Sequence, residues 1–238
     1  ESSYYSIACL FLNNMAINIT EYNKIVNETK EKNSTLVAVS KLQPVSAIES
    51  LYQMGQRDFG ENYVQELITK QPLLPGDIQW HFIGHLQSNK VKYIAPFVHL
   101  VHTVDSEKLL NEINKQAAKN NRVIHCLIQV HIAEEDTKFG LLPQQAEELL
   151  LSLQQMAFKN IVIAGLMGMA SFSDDVNKVA GEFKTLQQLF KKYQQYFSKN
   201  QTPHIAFNIL SMGMSGDYTL AMQHGSNMIR VGSLIFGQ

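Results

Sequence analysis

The segment Thr35-Leu36-Val37-Ala38-Val39-Ser40-Lys41 decides the fold, because a short and nearly continuous apolar run ends there in polar residues. A run of this length is typical of a strand buried on both faces of a parallel sheet. Pro44 then begins a helix that extends to about Met54, and Gly55 ends it. Proline just inside the start and glycine just past the end are common at helix termini. The segment therefore predicts a β-strand followed by an α-helix.

The same alternation continues toward the C-terminal end. Seven further apolar runs predict strands: one that reaches Phe59, then Ile78–Ile83, Val98–Val104, Val123–Ile132, Ile161–Met167, Ile205–Leu210 and Met228–Val231. Helical patterns precede or separate these runs: Met15–Lys32, Glu61 toward Lys70, one capped by Ser88, one from Asp105 or Ser106 to Asn120, one from Pro143, Asp175–Phe197 and Gly216–His224. Eight strands with helices between them indicate a single (β/α)8 TIM-type barrel of the α/β class, and an open doubly wound sheet is the competing architecture.

Composition excludes several classes of protein. The chain has 238 residues, of which 45% are hydrophobic and 17% charged, as expected of a globular protein. Its net charge of -1 gives no basic excess for nucleic-acid binding. The two cysteines are too few for a disulfide framework and fit a reducing compartment. No apolar run reaches the roughly 20 residues of a membrane span. We expect a cytoplasmic monomer that binds neither nucleic acid nor membranes.

The chain divides into a short extension and one domain. Residues 1–14 lack the positive charge and the cleavage site of a signal peptide, so we expect an N-terminal extension outside the fold. No linker, charge block or low-complexity segment interrupts residues 15–238, which we assign to one barrel domain.

Glycine and serine follow the last two predicted strands. In TIM-type barrels the functional site lies at the carboxyl ends of the strands, and phosphate commonly binds after strands seven and eight. There the sequence reads Ser211-Met212-Gly213-Met214-Ser215-Gly216-Asp217 and Arg230-Val231-Gly232-Ser233. Hydroxyl groups and closely approaching backbone N–H groups can hold an anion. Either segment alone is more often a plain turn, but the pair predicts a phosphate site.

Three other residues stand at strand ends on the same face. Lys41 places an amine over the barrel mouth, where it can react with a carbonyl, although a solvated loop lysine is the alternative. Arg230 is expected to contact a bound cofactor, at either a ring nitrogen or the phosphate. The alternative is an internal salt bridge with Glu61 or Asp217. Asn62 contacts the cofactor or caps a helix. A lysine, an arginine and a phosphate site together are the parts that pyridoxal phosphate requires.

Metal binding is not expected. His81 and His85 are four apart, and His99 and His102 three apart, but they fall on strands or strand ends, without acidic or cysteine partners at ligand spacing. We expect Cys126 to be a core residue.

Several of these segments resemble the pyridoxal phosphate homeostasis protein family. They are Ala38–Lys41, Phe59–Glu66, Trp80–Lys90, Gly165–Met167, Leu210–Ser215 and Arg230–Gly237. The resemblance implies a barrel similar to the N-terminal domain of alanine racemase, with pyridoxal 5'-phosphate as a Schiff base on Lys41. It also implies a role in intracellular vitamin B6 homeostasis and amino- and keto-acid balance, without established catalytic turnover. With the strand-end residues it gives the expected cofactor-binding set: Lys41, Asn62, Ser211, Gly213, Met214, Ser215, Arg230, Gly232 and Ser233. His131 and Gly168-Met169-Ala170 depart from the usual pattern.

Carrier and enzyme functions stay open at this point. Racemisation requires an acid or base on each face of the substrate carbon, and Lys41 serves one face only. Tyr63 and Tyr218 are weak candidates for the other, and we expect no second domain to supply it. We therefore expect a carrier or regulator that passes pyridoxal phosphate to dependent apoenzymes. The alternatives are a racemase-like enzyme that uses pyridoxal phosphate and, less favoured, an aldolase-type barrel in which Lys41 acts on another carbonyl substrate.

Overall fold

A computed structural model describes residues 17–134 and 139–237 of the protein. Its parallel strands close into a barrel in the order β1 to β8, which confirms the predicted (β/α)8 architecture. The strands are β1 Thr35–Val39, β2 Asp58–Glu61, β3 Gln79–Phe82, β4 Leu100–Val104, β5 Ile124–His131, β6 Ile161–Met169, β7 Ile205–Ser211 and β8 Met228–Val231.

Helices surround the barrel. They are α1 Ile19–Glu31, α2 Val45–Gln53, α3 Val64–Lys70, α4 Val91–Ile94, α5 Glu107–Lys119, α6 Pro143–Ser152, α7 Val176–Lys199, α8 Tyr218–Gln223 and α9 Ser233–Phe236. Ser106 caps α5 by accepting a hydrogen bond from the Leu109 N–H at 3.3 Å. Pro143 begins α6 as predicted.

Two predicted helix starts are wrong. The helix expected from Glu61 begins at Val64, because Glu61 is the last residue of β2 and its side chain accepts a hydrogen bond from the Ser40 hydroxyl, directly after β1. Ser88 does not cap α4. It opens a 3₁₀ turn over Ser88–Lys90, and α4 follows directly from that turn.

Buried apolar side chains form two clusters, one on each side of the strands. The larger lies between the strands and the helices, and it contains the residues of β1 that flank Val37. The smaller fills part of the barrel interior; it consists of Val37, Leu100, Leu127, Ala164, Met167 and Met228. Because successive side chains of a strand point to opposite faces, β1, β4, β5, β6 and β8 contribute to both clusters.

The domain boundary expected at residue 15 lies outside the described residues. No helix within residues 17–134 or 139–237 combines the length and the apolar composition that crossing a bilayer requires.

Candidate functional site

A cavity of about 390 Å³ opens at the carboxyl ends of the strands. Seven of the nine residues predicted to bind a cofactor line it: Lys41, Asn62, Met214, Ser215, Arg230, Gly232 and Ser233. Its apolar wall comes from Val39, Ile83, Met167 and Met169. Sequence reasoning missed the first three and noted Met169 only as part of a departure from the family pattern. Their position at strand ends was the signal that could have identified them. A cavity of this size, with few polar groups on an apolar wall, suits a small organic ligand.

Lys41 follows β1 and is half-buried at the cavity wall. Its amine forms no hydrogen bond or ion pair with any residue of the described ranges. An amine that faces a cavity in this way is available to react with a carbonyl group.

A buried network holds the backbone on both sides of Lys41. Lys70 donates to the Ser40 carbonyl at 2.7 Å, to Glu61 Oε1 at 2.8 Å and to Glu66 Oε1 at 2.6 Å. The same Glu66 oxygen accepts from the Leu42 N–H at 2.6 Å, and the Ser40 hydroxyl donates to Glu61 at 2.6 Å. We call Glu61, Glu66 and Lys70 the Lys41 clamp, because they bond to both of its sequence neighbours.

The clamp has an electrostatic cost. Glu61 is fully buried, and burial raises the pKa of its carboxyl, while the hydrogen bonds from Lys70 and Ser40 lower it. Leu42 adopts the left-handed conformation, with φ of 63°, which is unfavourable for a leucine. Both features indicate that the neighbouring structure fixes this loop in one geometry.

Asn62 follows β2 directly and lines the cavity. It does not cap α3, since Tyr63 occupies the cap position and makes no side-chain cap bond. Its Oδ1 atom is buried and has no hydrogen-bond partner among the described residues. Gly84 makes this placement possible, because a Cβ atom there would lie 2.0 Å from the Asn62 carbonyl oxygen. An orphaned acceptor beside a cavity indicates a place for a ligand donor.

The loops after β7 and β8 meet at the cavity. Gly213 adopts a φ of 98°, and its carbonyl accepts from the Arg230 N–H at 3.0 Å. Ser215 accepts from the Gly232 N–H at 3.3 Å, which joins the two loops. Asp217 also lines the cavity, and its Oδ1 accepts from the Met214 N–H at 2.6 Å within the turn. The helices behind these loops start at Tyr218 and Ser233 and are short, with 6 and 4 residues.

Arg230 lines the cavity although it is only 3% exposed. It donates from Nη1 to Ser211 Oγ at 2.5 Å and from Nη2 to the Gly168 carbonyl at 3.0 Å. Burial lowers the pKa of Arg230 to about 10, against a smaller opposing effect of Asp217, so the side chain stays charged at neutral pH. The alternative salt bridge with Glu61 is not what the structure shows, because Glu61 bonds to Lys70.

Ser211 and Gly213 are not among the residues that line the cavity. Ser211 is fully buried, where its hydroxyl oxygen accepts from Arg230. Its direct contact with a cofactor, like that of Gly213, stays a prediction.

Other candidate residues lie elsewhere. Tyr218 donates to Glu28 Oε2 at 2.7 Å, and neither Tyr218 nor the exposed Tyr63 lines the cavity with Lys41. Among the described residues, no group of three or more histidine, cysteine or acidic side chains could hold a metal ion. Cys126 is buried, which raises the pKa of its thiol and makes it unreactive.

Comparison with known proteins agrees with this architecture. The family model described as "Alanine racemase, N-terminal domain" matches residues 12–238. The pyridoxal phosphate homeostasis protein of Schizosaccharomyces pombe is 39% identical over 218 residues, which cover 90% of this chain and 88% of that protein. The protein of the same name from Haemophilus influenzae is 35% identical over 222 residues, which cover 90% of this chain and 91% of that protein.

A solved structure is similar over most of its length. PipY of Synechococcus elongatus PCC7942, determined with PLP bound, is 34% identical, with a TM-score of 0.75 over 86% of this chain and 93% of that one. These identities and coverages show common ancestry as well as a common fold. The chain belongs to the pyridoxal phosphate homeostasis protein family, whose barrel is that of the alanine racemase N-terminal domain.

Proposed function

We propose that this protein binds pyridoxal 5'-phosphate as a Schiff base on Lys41 and serves intracellular vitamin B6 homeostasis without catalytic turnover. The observation that supports it best is the shared cavity of Lys41 and Arg230, an amine without a partner in residues 17–134 and 139–237 and a charged guanidinium. When bound, the cofactor supplies an aldehyde that condenses with a primary amine. The protein's own residues supply the amine, the counter-charges and the shape of the cavity.

The residues present fit this cofactor. The orphaned Asn62 Oδ1 offers an acceptor to the ligand, and Ser215 and Ser233 offer hydroxyl donors to a phosphate. The bond between Asp217 Oδ1 and the Met214 N–H holds that carboxylate oxygen within the turn, which limits its repulsion of a phosphate. Arg230 lies within β8, deeper than the two loops. This depth favours a contact between Arg230 and the ring nitrogen of the cofactor, with the phosphate bound by the loops after β7 and β8.

The same geometry favours a carrier over a racemase. An arginine beside the ring nitrogen disfavours protonation of that nitrogen, which weakens the cofactor as an electron sink. Neither tyrosine considered as a second acid or base lines the cavity, and Asp217 lies in the loop assigned to phosphate. We further propose that the protein is a cytoplasmic monomer and passes the cofactor to apoenzymes that depend on it.

Borohydride trapping tests the anchor. Purified protein supplemented with pyridoxal phosphate should show a visible absorption band, and reduction should leave a stable adduct on the Lys41 peptide by mass spectrometry. Lys41→Ala should lose both, whereas Lys192→Ala should keep both, because Lys192 forms an exposed ion pair with Glu147. A Lys41→Ala variant with the wild-type band and adduct would disprove the Lys41 assignment.

Isotope exchange separates carrier from enzyme. The loaded protein is incubated with single amino-acid enantiomers in heavy water, and deuterium at the α-carbon is followed by NMR. A carrier gives no exchange above that of free pyridoxal phosphate. Sustained exchange or racemisation that Lys41→Ala abolishes would favour the racemase-like alternative.

A further inference from the structure

Polar side chains cross the barrel interior from one end to the cavity. Asp58 is the first residue of β2, and its Oδ1 atom lies 2.9 Å from His81 Nε2. His81 Nδ1 lies 2.9 Å from His102 Nε2, and His102 Nδ1 lies 3.1 Å from Ser211 Oγ. Ser211 in turn accepts from Arg230 at 2.5 Å. We call these five residues the interior network; their side chains come from β2, β3, β4, β7 and β8.

The two ends of the network have fixed roles, because an arginine can only donate and an ionised carboxylate can only accept. Ser211 Oγ accepts from Arg230 and, where both histidine rings are neutral, directs its own proton to His102 Nδ1. His102 then carries its proton on Nε2 and donates to His81 Nδ1. His81 carries its proton on Nε2 and donates to the Asp58 carboxylate. With both rings neutral, each link has one donor and one acceptor, and both histidines are Nε2–H tautomers.

The groups that face His102 agree with a neutral ring. His102 is fully buried, and its pKa is well below the ordinary value, chiefly because burial disfavours the charged form; His81, Arg230 and His99 add to this effect. A charged His102 would donate from both ring nitrogens, so it could no longer accept the Ser211 hydroxyl proton. His81 contacts Asp58 on its other side, and the ring centroid of His99 lies 5.5 Å away.

Stability alone does not account for this arrangement. The neighbouring interior is filled by apolar residues such as Val37, Leu100 and Leu127. Replacing a buried polar network with packed apolar side chains is often neutral or stabilising. A fully satisfied network instead specifies one geometry, and this one ends on the Arg230 guanidinium, whose plane is fixed by Ser211 on Nη1 and by Gly168 on Nη2.

We infer that Asp58, His81, His102 and Ser211 are positioning residues for Arg230, and that they set its orientation toward the ring of the bound cofactor from the opposite end of the barrel. This inference rests on the proposed function. It assigns a role to side chains that line no part of the cavity.

The network itself is tested without cofactor. Nitrogen-15 NMR of the apoprotein reports the tautomer of each histidine ring. We expect His102 to be a neutral Nε2–H tautomer between pH 6 and 8. A charged ring, or an Nδ1–H tautomer, at His102 would overturn the inference.

Its effect on the cofactor is tested by substitution. His102→Leu removes both bonds of the ring, and His102→Asn keeps an acceptor near the position of Nδ1. His204→Leu is the matched control, because His204 is also buried but bonds to the Leu153 carbonyl outside the network. The readouts are the dissociation constant for pyridoxal phosphate and the pH midpoint of the visible band of the bound cofactor.

We expect His102→Leu to weaken binding by about tenfold or more, since a hydrogen bond that supports a charged group is lost, and to shift the pH midpoint. His102→Asn should recover part of both, and His204→Leu should change neither. Asp58→Ala, at the partly exposed end of the interior network, should shift the pH midpoint of the visible band in the same direction but by less. This variant replaces His102→Leu as the test if His102→Leu does not fold.

The outcomes distinguish the two proposals. If the wild type binds the cofactor and His102→Leu and Asp58→Ala keep its affinity and pH midpoint, the positioning role is wrong and the proposed function stands. If the wild type does not bind pyridoxal phosphate, both are wrong.

Discussion

At the scale of single residues, the clearest feature is how firmly the backbone around Lys41 is held. Lys70 places one ammonium group among three oxygens, two of them on the carboxylates that bond to Ser40 and Leu42. Lys70 is 6% exposed and Glu61 is fully buried, so this ion pair is shielded from water. Removing one partner of a buried pair costs far more than the pair contributes in net terms, because an uncompensated charge is left behind.

Lys70→Met should therefore lower both stability and the reactivity of Lys41. The expected loss is about 3–5 kcal/mol of unfolding free energy, or a decrease in Tm of roughly 10 °C for a chain of this size. Well below that Tm, borohydride trapping of pyridoxal phosphate on Lys41 should be slower than in the wild type. Thermal denaturation and timed trapping measure the two effects.

The matched control is Lys192→Met. Lys192 is exposed and its partner Glu147 is partly exposed, and surface pairs contribute about 0–1 kcal/mol. Equal Tm values for the two methionine variants would contradict the clamp.

At the scale of elements, the site depends on close approach between the segments that follow neighbouring strands. The backbone of Asn62, after β2, packs against Gly84, after β3. A methyl group at position 84 would lie 2.0 Å from the Asn62 carbonyl oxygen, far inside van der Waals contact. The two loops must separate to admit it, which moves Asn62 in the cavity wall.

Gly84→Ala is expected to cost about 1–3 kcal/mol of stability, the usual range for overpacking, and to weaken pyridoxal phosphate binding. Urea denaturation and cofactor titration are the measurements. Gly76→Ala is the control, because a Cβ atom at Gly76 has no neighbour within 4 Å. Identical denaturation curves for the two alanine variants would show that the contact is looser than the structure indicates.

At the scale of the whole molecule, one buried and two half-buried histidines link stability to pH. Burial lowers the pKa of His99 to about 4, and it also lowers the pKa values of His102 and His125. In the unfolded chain each ring titrates near pH 6.5. Below that pH the unfolded state binds more protons than the native state, so stability falls as the pH decreases from about 6.5. Glu61, with its raised pKa, acts in the opposite direction, but it is one group against three.

Tm should therefore decrease between pH 7 and pH 5, before most surface carboxylates titrate, by several degrees. Calorimetry across this range measures it. His99→Gln should flatten the decrease, because one of the three rings is absent. A constant Tm from pH 7 to pH 5 in the wild type would mean that the histidines are not held neutral.

Several features of the fold and site follow from local sequence. The eight apolar runs, the helix start at Pro143 and the stop at Gly55 could be assigned because periodicity and terminus residues act over a few positions. Lys41, Arg230 and the two glycine-containing loops could be located because, once the strands are known, a barrel places their carboxyl ends on one face.

What the sequence by itself determined is therefore the architecture, the family and the residues at the strand ends. Only the tertiary structure decided the partners inside: that Lys70 reaches the Ser40 carbonyl, that Glu61 pairs with Lys70 and leaves Arg230 to Ser211, and that His81 and His102 join Asp58 to Ser211. The physical reason is that alternation along a strand encodes which face is buried. It does not encode which side chain from a distant strand lies opposite, because barrel closure and strand register set that pairing.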